Sequence, residues 1–207
     1  MRTAGSSRTT TLWGGVGLLV GGVLWILDVH IWFPHIVSGA VWVAVDDLII
    51  CAAAVVLAVG VRHETGIVGR FGWGAAAVIL FGARNLALSG FGWILVATIP
   101  FPPVGPSSTT IILINTVLII SFALATLAAG IAMVRARVLH GFARWPLLAL
   151  GCCYVLATAF IFVNPGPAGV VIEYLEPLLL IVTGLSYALH GQSASIRARA
   201  KIINEQW

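Results

Sequence analysis

Long apolar runs alternate with short polar breaks along the whole chain. The runs cover about 12–33, 40–61, 71–100, 110–134, 145–163 and 170–189. An apolar run of 18 or more residues is long enough to cross a bilayer as a helix. The breaks are of two kinds. Three are uncharged and rich in proline: 34–39, FPPVGP at 101–106 and NPGPAG at 164–169. The others are charged, at 62–70 and 135–144, together with the two chain ends. The pattern predicts an all-α integral membrane protein, a single bundle of six transmembrane helices over 1–207.

One run does not fit a single straight span. The stretch 71–100 would make a helix of about 43 Å against a hydrocarbon core of about 30 Å. The expected helix is 71–89, ending or bending at Ser89-Gly90, with 90–106 re-entering the membrane or lying at its interface. Residues 107–110 then cap the fourth span, and 190–207 form a polar tail. A weak internal rhythm is also visible. LAVGVRHETG at 57–66 resembles IAMVRARVLHG at 131–141, as if three hairpins formed a ring.

Charge fixes the expected sidedness. Arg2, Arg8, Arg62, Arg70, Arg135, Arg137, Arg144, Arg197, Arg199 and Lys201 all fall on one side of the crossings. The positive-inside rule then puts both termini in the cytoplasm. Composition agrees: 60% of the residues are hydrophobic and only 9% charged, where a soluble domain has about 25% charged residues. The net charge of +4 is used up by topology and calls for no nucleic acid. Arginine-for-lysine usage and the Ala/Gly/Val/Leu bias suggest a bacterial inner membrane. No cleavable signal peptide is expected, because the first run is too long and more spans follow. Cys51, Cys152 and Cys153 all lie in apolar runs and read as small core residues.

Charges inside the runs are the exception that matters. An ionisable side chain at the bilayer centre costs about 2.5–3.5 kcal/mol on insertion scales. Asp28 lies in the first run, Asp46 and Asp47 in the second, Arg84 in the third, Asn115 in the fourth, and Glu173 and Glu176 in the sixth. Counted from the uncharged turns at about 1.5 Å per residue, each sits about 5–9 Å below that boundary. The fifth run supplies none. Asp46 and Asp47 are about 100° apart on a helix and face different neighbours. Glu173 and Glu176 share a face, and Pro177 interrupts the backbone ladder beside them. Five carboxylates around one arginine cannot all be ionised in a low-dielectric site. An ionised and a protonated carboxyl side by side are poised for acid–base work. The plainer interpretation is a set of structural ion pairs between helices.

Other candidates are weaker. His30 and His35 lie near the expected layer. His63, His140 and His190 lie at the opposite helix ends, where a cation suits the helix dipole. No HxxxH or HExxH spacing points to a metal, and no cofactor is expected. Small-residue faces at Gly14-Gly15, Gly21-Gly22 and Ala52–Ala54 suit helix association. Trp25, Phe160 and Tyr174 are expected to line an apolar pocket near the acids, since aromatic faces stabilise cations.

In layout the chain resembles the small integral-membrane terpene cyclases of fungal meroterpenoid and bacterial drimane-type pathways. Those are compact helical proteins with essential acids on an early helix and on the last. The matching positions are Asp46 or Asp47 in VAVDDLI and Glu173 or Glu176 in IEYLEP. The resemblance implies proton-initiated cyclisation of an isoprenoid. Asp47, Glu176, Asp46, Glu173 and Asp28 would be the catalytic acids, and Arg84, Trp25, Trp42, Asn115, Tyr174, Phe160 and His30 would contact an apolar substrate. The competing class is an outward-facing binding or proton-coupled transport protein, such as a vitamin-importer subunit, with the same acids as relay groups.

Overall fold

The computed structural model describes residues 8–27, 39–61, 66–68, 72–98, 106–163 and 165–205, with side chains for 9–27, 45–61, 66–68, 72–84, 86–87, 113–114, 116–160, 174–194 and 196. Among these residues the chain is all helical: α1 (Arg8–Leu27), α2 (Gly39–Val59), α3 (Gly72–Thr98), α4 (Pro106–Ala136), α5 (Pro146–Val163) and α6 (Pro165–Glu205), with a 3-10 turn at Gly141–Arg144. Three segments, Thr9–Leu27, Thr116–Ala136 and Gly141–Phe160, are long and apolar enough to cross a membrane.

The helices form a closed ring. Each packs against its neighbours in sequence, and α1 closes the circle against α6. Close approaches give the directions. Gly14 faces Leu57 and Gly21 faces Ile50, so α1 and α2 are antiparallel. Gly15 faces Ala188 and Gly22 faces Ile181, so α1 and α6 are antiparallel too. The start of α1 and the C-terminal half of α6 therefore share one end of the bundle. The α1–α6 seam is tight. A Cβ at Gly184 would run into the backbone of Leu19 and Gly15, so only a residue without one lets the two chains meet.

That end of the ring is filled by side chains from its connections. Gly60 closes α2 in the left-handed conformation (φ 90°), with its N–H donating to the Val56 carbonyl at 2.9 Å. The chain then turns back. Ile67 N–H donates to the Leu57 carbonyl at 2.8 Å, and Ile67 and Val68 are fully buried. Leu139 and Ala143, from the α4–α5 connection, are buried there as well. Deeper in, the Tyr187 hydroxyl donates to Met133 Sδ at 3.1 Å, joining α6 to α4. Thr10 Oγ1 accepts the Val61 N–H at 3.0 Å and pins the start of α1 to the end of α2. The loop expected to be merely charged thus carries a buried apolar stopper.

The outward faces are apolar. Leu48, Leu80, Leu124, Leu156, Leu178 and Leu185 are all exposed. Helices apolar all round are found where the surroundings are apolar too.

Four boundaries differ from expectation. The fourth span, expected from about residue 110 with 107–110 as its cap, already begins at Pro106. α3 does not end at Ser89-Gly90 but continues to Thr98, so 90–98 belongs to the same helix. Glycine and serine are tolerated inside a helix packed in an apolar medium. The turn expected over 164–169 shrinks, because α6 already begins at Pro165. Pro165 and Pro167 fall in the first helical turn, where backbone N–H groups have no helical partner to lose. The tail after residue 189 is helical through Glu205, giving α6 41 residues, or about 60 Å.

Candidate functional site

Arg84 leaves α3 near its middle, with Asn85 beside it in a largely apolar sequence. Its side chain crosses the interior to α6, which is not among the helices packed against α3. Nη2 donates to Glu176 Oε2 at 2.9 Å, and Nη1 lies 2.8 Å from Oε1. The two contacts together pair the guanidinium with both carboxylate oxygens. The side chains are 11% and 4% exposed, so water does little to screen the pair.

Tyr154, from α5, supplies the floor. Its ring lies under the guanidinium, with Cζ 3.8 Å from the centroid, a cation–π contact shielded from solvent. The Tyr154 hydroxyl is buried and makes no hydrogen bond. A buried tyrosine hydroxyl normally finds a partner, so this one is an exception that calls for a reason.

Asp46 and Asp47 complete the layer from α2, and both are buried. Asp46 Oδ1 accepts the backbone N–H of Asp47 at 2.8 Å. Their burial follows from the position of α2 in the ring. The Asp46 side of α2 packs on α1 near Gly21, while the next residue round the helix turns toward α3, whose Gly82 meets Cys51 and Ala54. Two residues about 100° apart can thus both avoid the outer surface. Asp47 lies in the neighbourhood of Glu176.

The site therefore joins α2, α3, α5 and α6. Along α3 and α6 it lies farther from the helix ends than expected. Arg84 is about 20 Å from the Thr98 end of α3, and Glu176 about 17 Å from the start of α6. The fifth helix, expected to contribute nothing, provides Tyr154. The available signal was a lone tyrosine in the middle of an apolar span.

Two of the aromatics expected to line a pocket lie elsewhere. Phe160 and Tyr174 are exposed on the outer surface. Trp25 is half-buried and packs against the core. Asp28, His30 and His35 lie outside the described residues, as do the side chains of Trp42, Asn115 and Glu173. Among the described residues no group of three His, Cys, Asp or Glu side chains could hold a metal.

Beside the ion pair, on the α5–α6 seam, is an apolar cleft lined by Leu150, Cys153, Tyr154, Ala157, Leu175, Glu176 and Leu179. Its free volume is about 20 Å³, where one water needs about 10–15 Å³. No family model, no curated protein and no solved structure matches this chain.

Proposed function

We propose that the chain is a six-span protein of the bacterial inner membrane, with cytoplasmic termini, whose buried carboxyl layer performs acid–base chemistry on an isoprenoid-like substrate. The most concrete form is proton-initiated cyclisation. The observation that carries the reading is the burial of Asp46, Asp47, Arg84 and Glu176 in one layer drawn from three helices. Buried charges are expensive, and a bundle needing only adhesion between helices has cheaper means in its glycine and alanine faces.

In this reading a protonated aspartic acid, Asp47 or Asp46, gives its proton to the terminal alkene of a linear polyprenyl chain. A C–H bond forms, the π bond breaks, and a tertiary cation results. The next alkene closes the ring with its π electrons. The last cation loses a proton to a carboxylate of the layer, so the overall change is an isomerisation needing no co-reactant. Arg84 balances the charge of Glu176 and fixes its position. The apolar surroundings keep water away from the cation.

The test is incubation of the purified protein in nanodiscs with farnesol in D₂O. An isomeric cyclic product carrying one deuterium on the former terminal alkene is expected. Asp47→Asn should remove turnover while leaving the protein folded. Absence of any product, with proton-coupled uptake of a solute in proteoliposomes, would favour the carrier reading instead. That reading has one observation behind it: the Arg84–Glu176 pair ties together helices that are not ring neighbours, so protonating it would loosen the bundle. Against it stands the stopper of Ile67, Val68 and Leu139, which closes the end bearing both termini.

A further inference from the structure

The site holds an orphaned hydroxyl beside a carboxylate. The Tyr154 hydroxyl has no hydrogen-bond partner, and Glu176 Oε1, 2.8 Å from Arg84 Nη1, still has a lone pair to offer. Both residues line the apolar cleft between α5 and α6, and both are more than nine-tenths buried. Leaving a buried hydroxyl unsatisfied is costly in an apolar interior, where it forfeits its hydration. One chemical group answers both: a hydroxyl, which donates through its hydrogen and accepts through its lone pairs. Its hydrogen would go to Glu176 Oε1, and its oxygen would receive the Tyr154 O–H.

The rest of the cleft specifies what the hydroxyl is attached to. Leu150, Cys153, Ala157, Leu175 and Leu179 offer no further polar partner to a ligand. The free volume accommodates a head group of about one water's size and nothing larger, so a chain has to lie along the seam outside it. That seam is apolar on its outer side, where Leu175, Phe160 and Tyr174 are exposed.

We propose that the α5–α6 seam is a lateral entrance from the lipid for a hydroxyl-headed apolar chain, whose hydroxyl bridges Glu176 and Tyr154. This deepens the proposed function by naming the head group and the way in, and it rests on that function only for what happens after binding. The hydroxyl also anchors one end of the chain at the ion pair.

The experiment is photo-crosslinking of the full chain in nanodiscs with a diazirine-bearing hexadecanol, competed separately by farnesol, by hexadecanol and by hexadecane. Labelled peptides are located by mass spectrometry. Labelling concentrated on Cys153, Ala157, Leu175 and Leu179, displaced by an alcohol and not by the alkane, supports the inference. Displacement by farnesol alone assigns a prenyl chain, and displacement by both alcohols assigns a general long-chain alcohol. Tyr154→Phe, which removes only the orphaned hydroxyl, should weaken alcohol competition about fivefold, the weight of one neutral hydrogen bond. It should leave the melting temperature without ligand unchanged or slightly raised. Labelling spread evenly over the lipid-facing residues of all six helices, or competition by alkane as strong as by alcohol, overturns the inference and leaves a single bridging water as the occupant. Binding is read without turnover, so an alcohol that binds and is never converted defeats the enzyme reading alone.

Discussion

The two halves of the ring are held together by different physics. Toward the termini the interior is filled by Ile67, Val68, Leu139, Met133 and Tyr187, side chains that need only to be surrounded. Further along, the interior holds Asp46, Asp47, Arg84 and Glu176, which need particular partners at particular distances. The first region is specified by volume, the second by charge and donor direction. A membrane bundle gains little from apolar burial against lipid, so close packing has to carry the first region. The second adds an energetic burden to a fold that the first already secures.

Substitutions should break the two regions in different ways. The largest effect is expected at the α1–α6 seam. Gly184→Val drives a branched side chain into the backbone of Leu19, and no folded protein should be recovered by size-exclusion chromatography in detergent. Overpacking in a well-filled core costs about 1–3 kcal/mol even where side chains can yield, and a backbone neighbour yields less. Next comes Arg84→Leu, which strands Glu176 as a buried carboxyl. Breaking a buried pair from one side costs about 3–5 kcal/mol, to be read as a fall in thermal stability in nanodiscs. Leu139→Ala should cost about 2–4 kcal/mol by leaving a cavity in the stopper, with turnover per folded molecule unchanged. Tyr187→Phe loses only the contact with Met133 Sδ, and its cost should stay below about 1 kcal/mol. If stopper variants lost turnover as steeply as layer variants, the two regions would not be separate in role.

Much of this division was legible in the sequence. A charge in an apolar run stands out because it is costly, and so Asp46, Asp47, Arg84 and Glu176 could be found by inspection. The ends of α5 were legible as well, being bounded by Arg144 and Pro146 before and Asn164 after. The course of α3 was not, because Ser89-Gly90 looks like a break by the rules of soluble helices, whereas neighbouring helices can support such residues in a bundle. The early start of α6 was missed because NPGPAG resembles a turn, although prolines suit a first helical turn. The inward faces were hidden for a different reason. Helices apolar on every side give no stripe to read, so neither the burial of Ile67-Val68 within a charged loop nor the exposure of Phe160 and Tyr174 could be inferred. Tyr154 was passed over because tyrosine in a membrane sequence is commonly credited to the interface.

The central claim is that the charged layer is kept for chemistry and not for holding helices together. The direct test is the double substitution Arg84→Leu/Glu176→Leu, assayed for thermal stability and for deuterium incorporation into farnesol in D₂O. Replacing both members of a buried pair with apolar residues is often neutral or stabilising. The account predicts a folded protein at least as stable as the parent, with no turnover. A double variant that fails to fold, or one that folds and still turns over its substrate at the parent's rate, would contradict it.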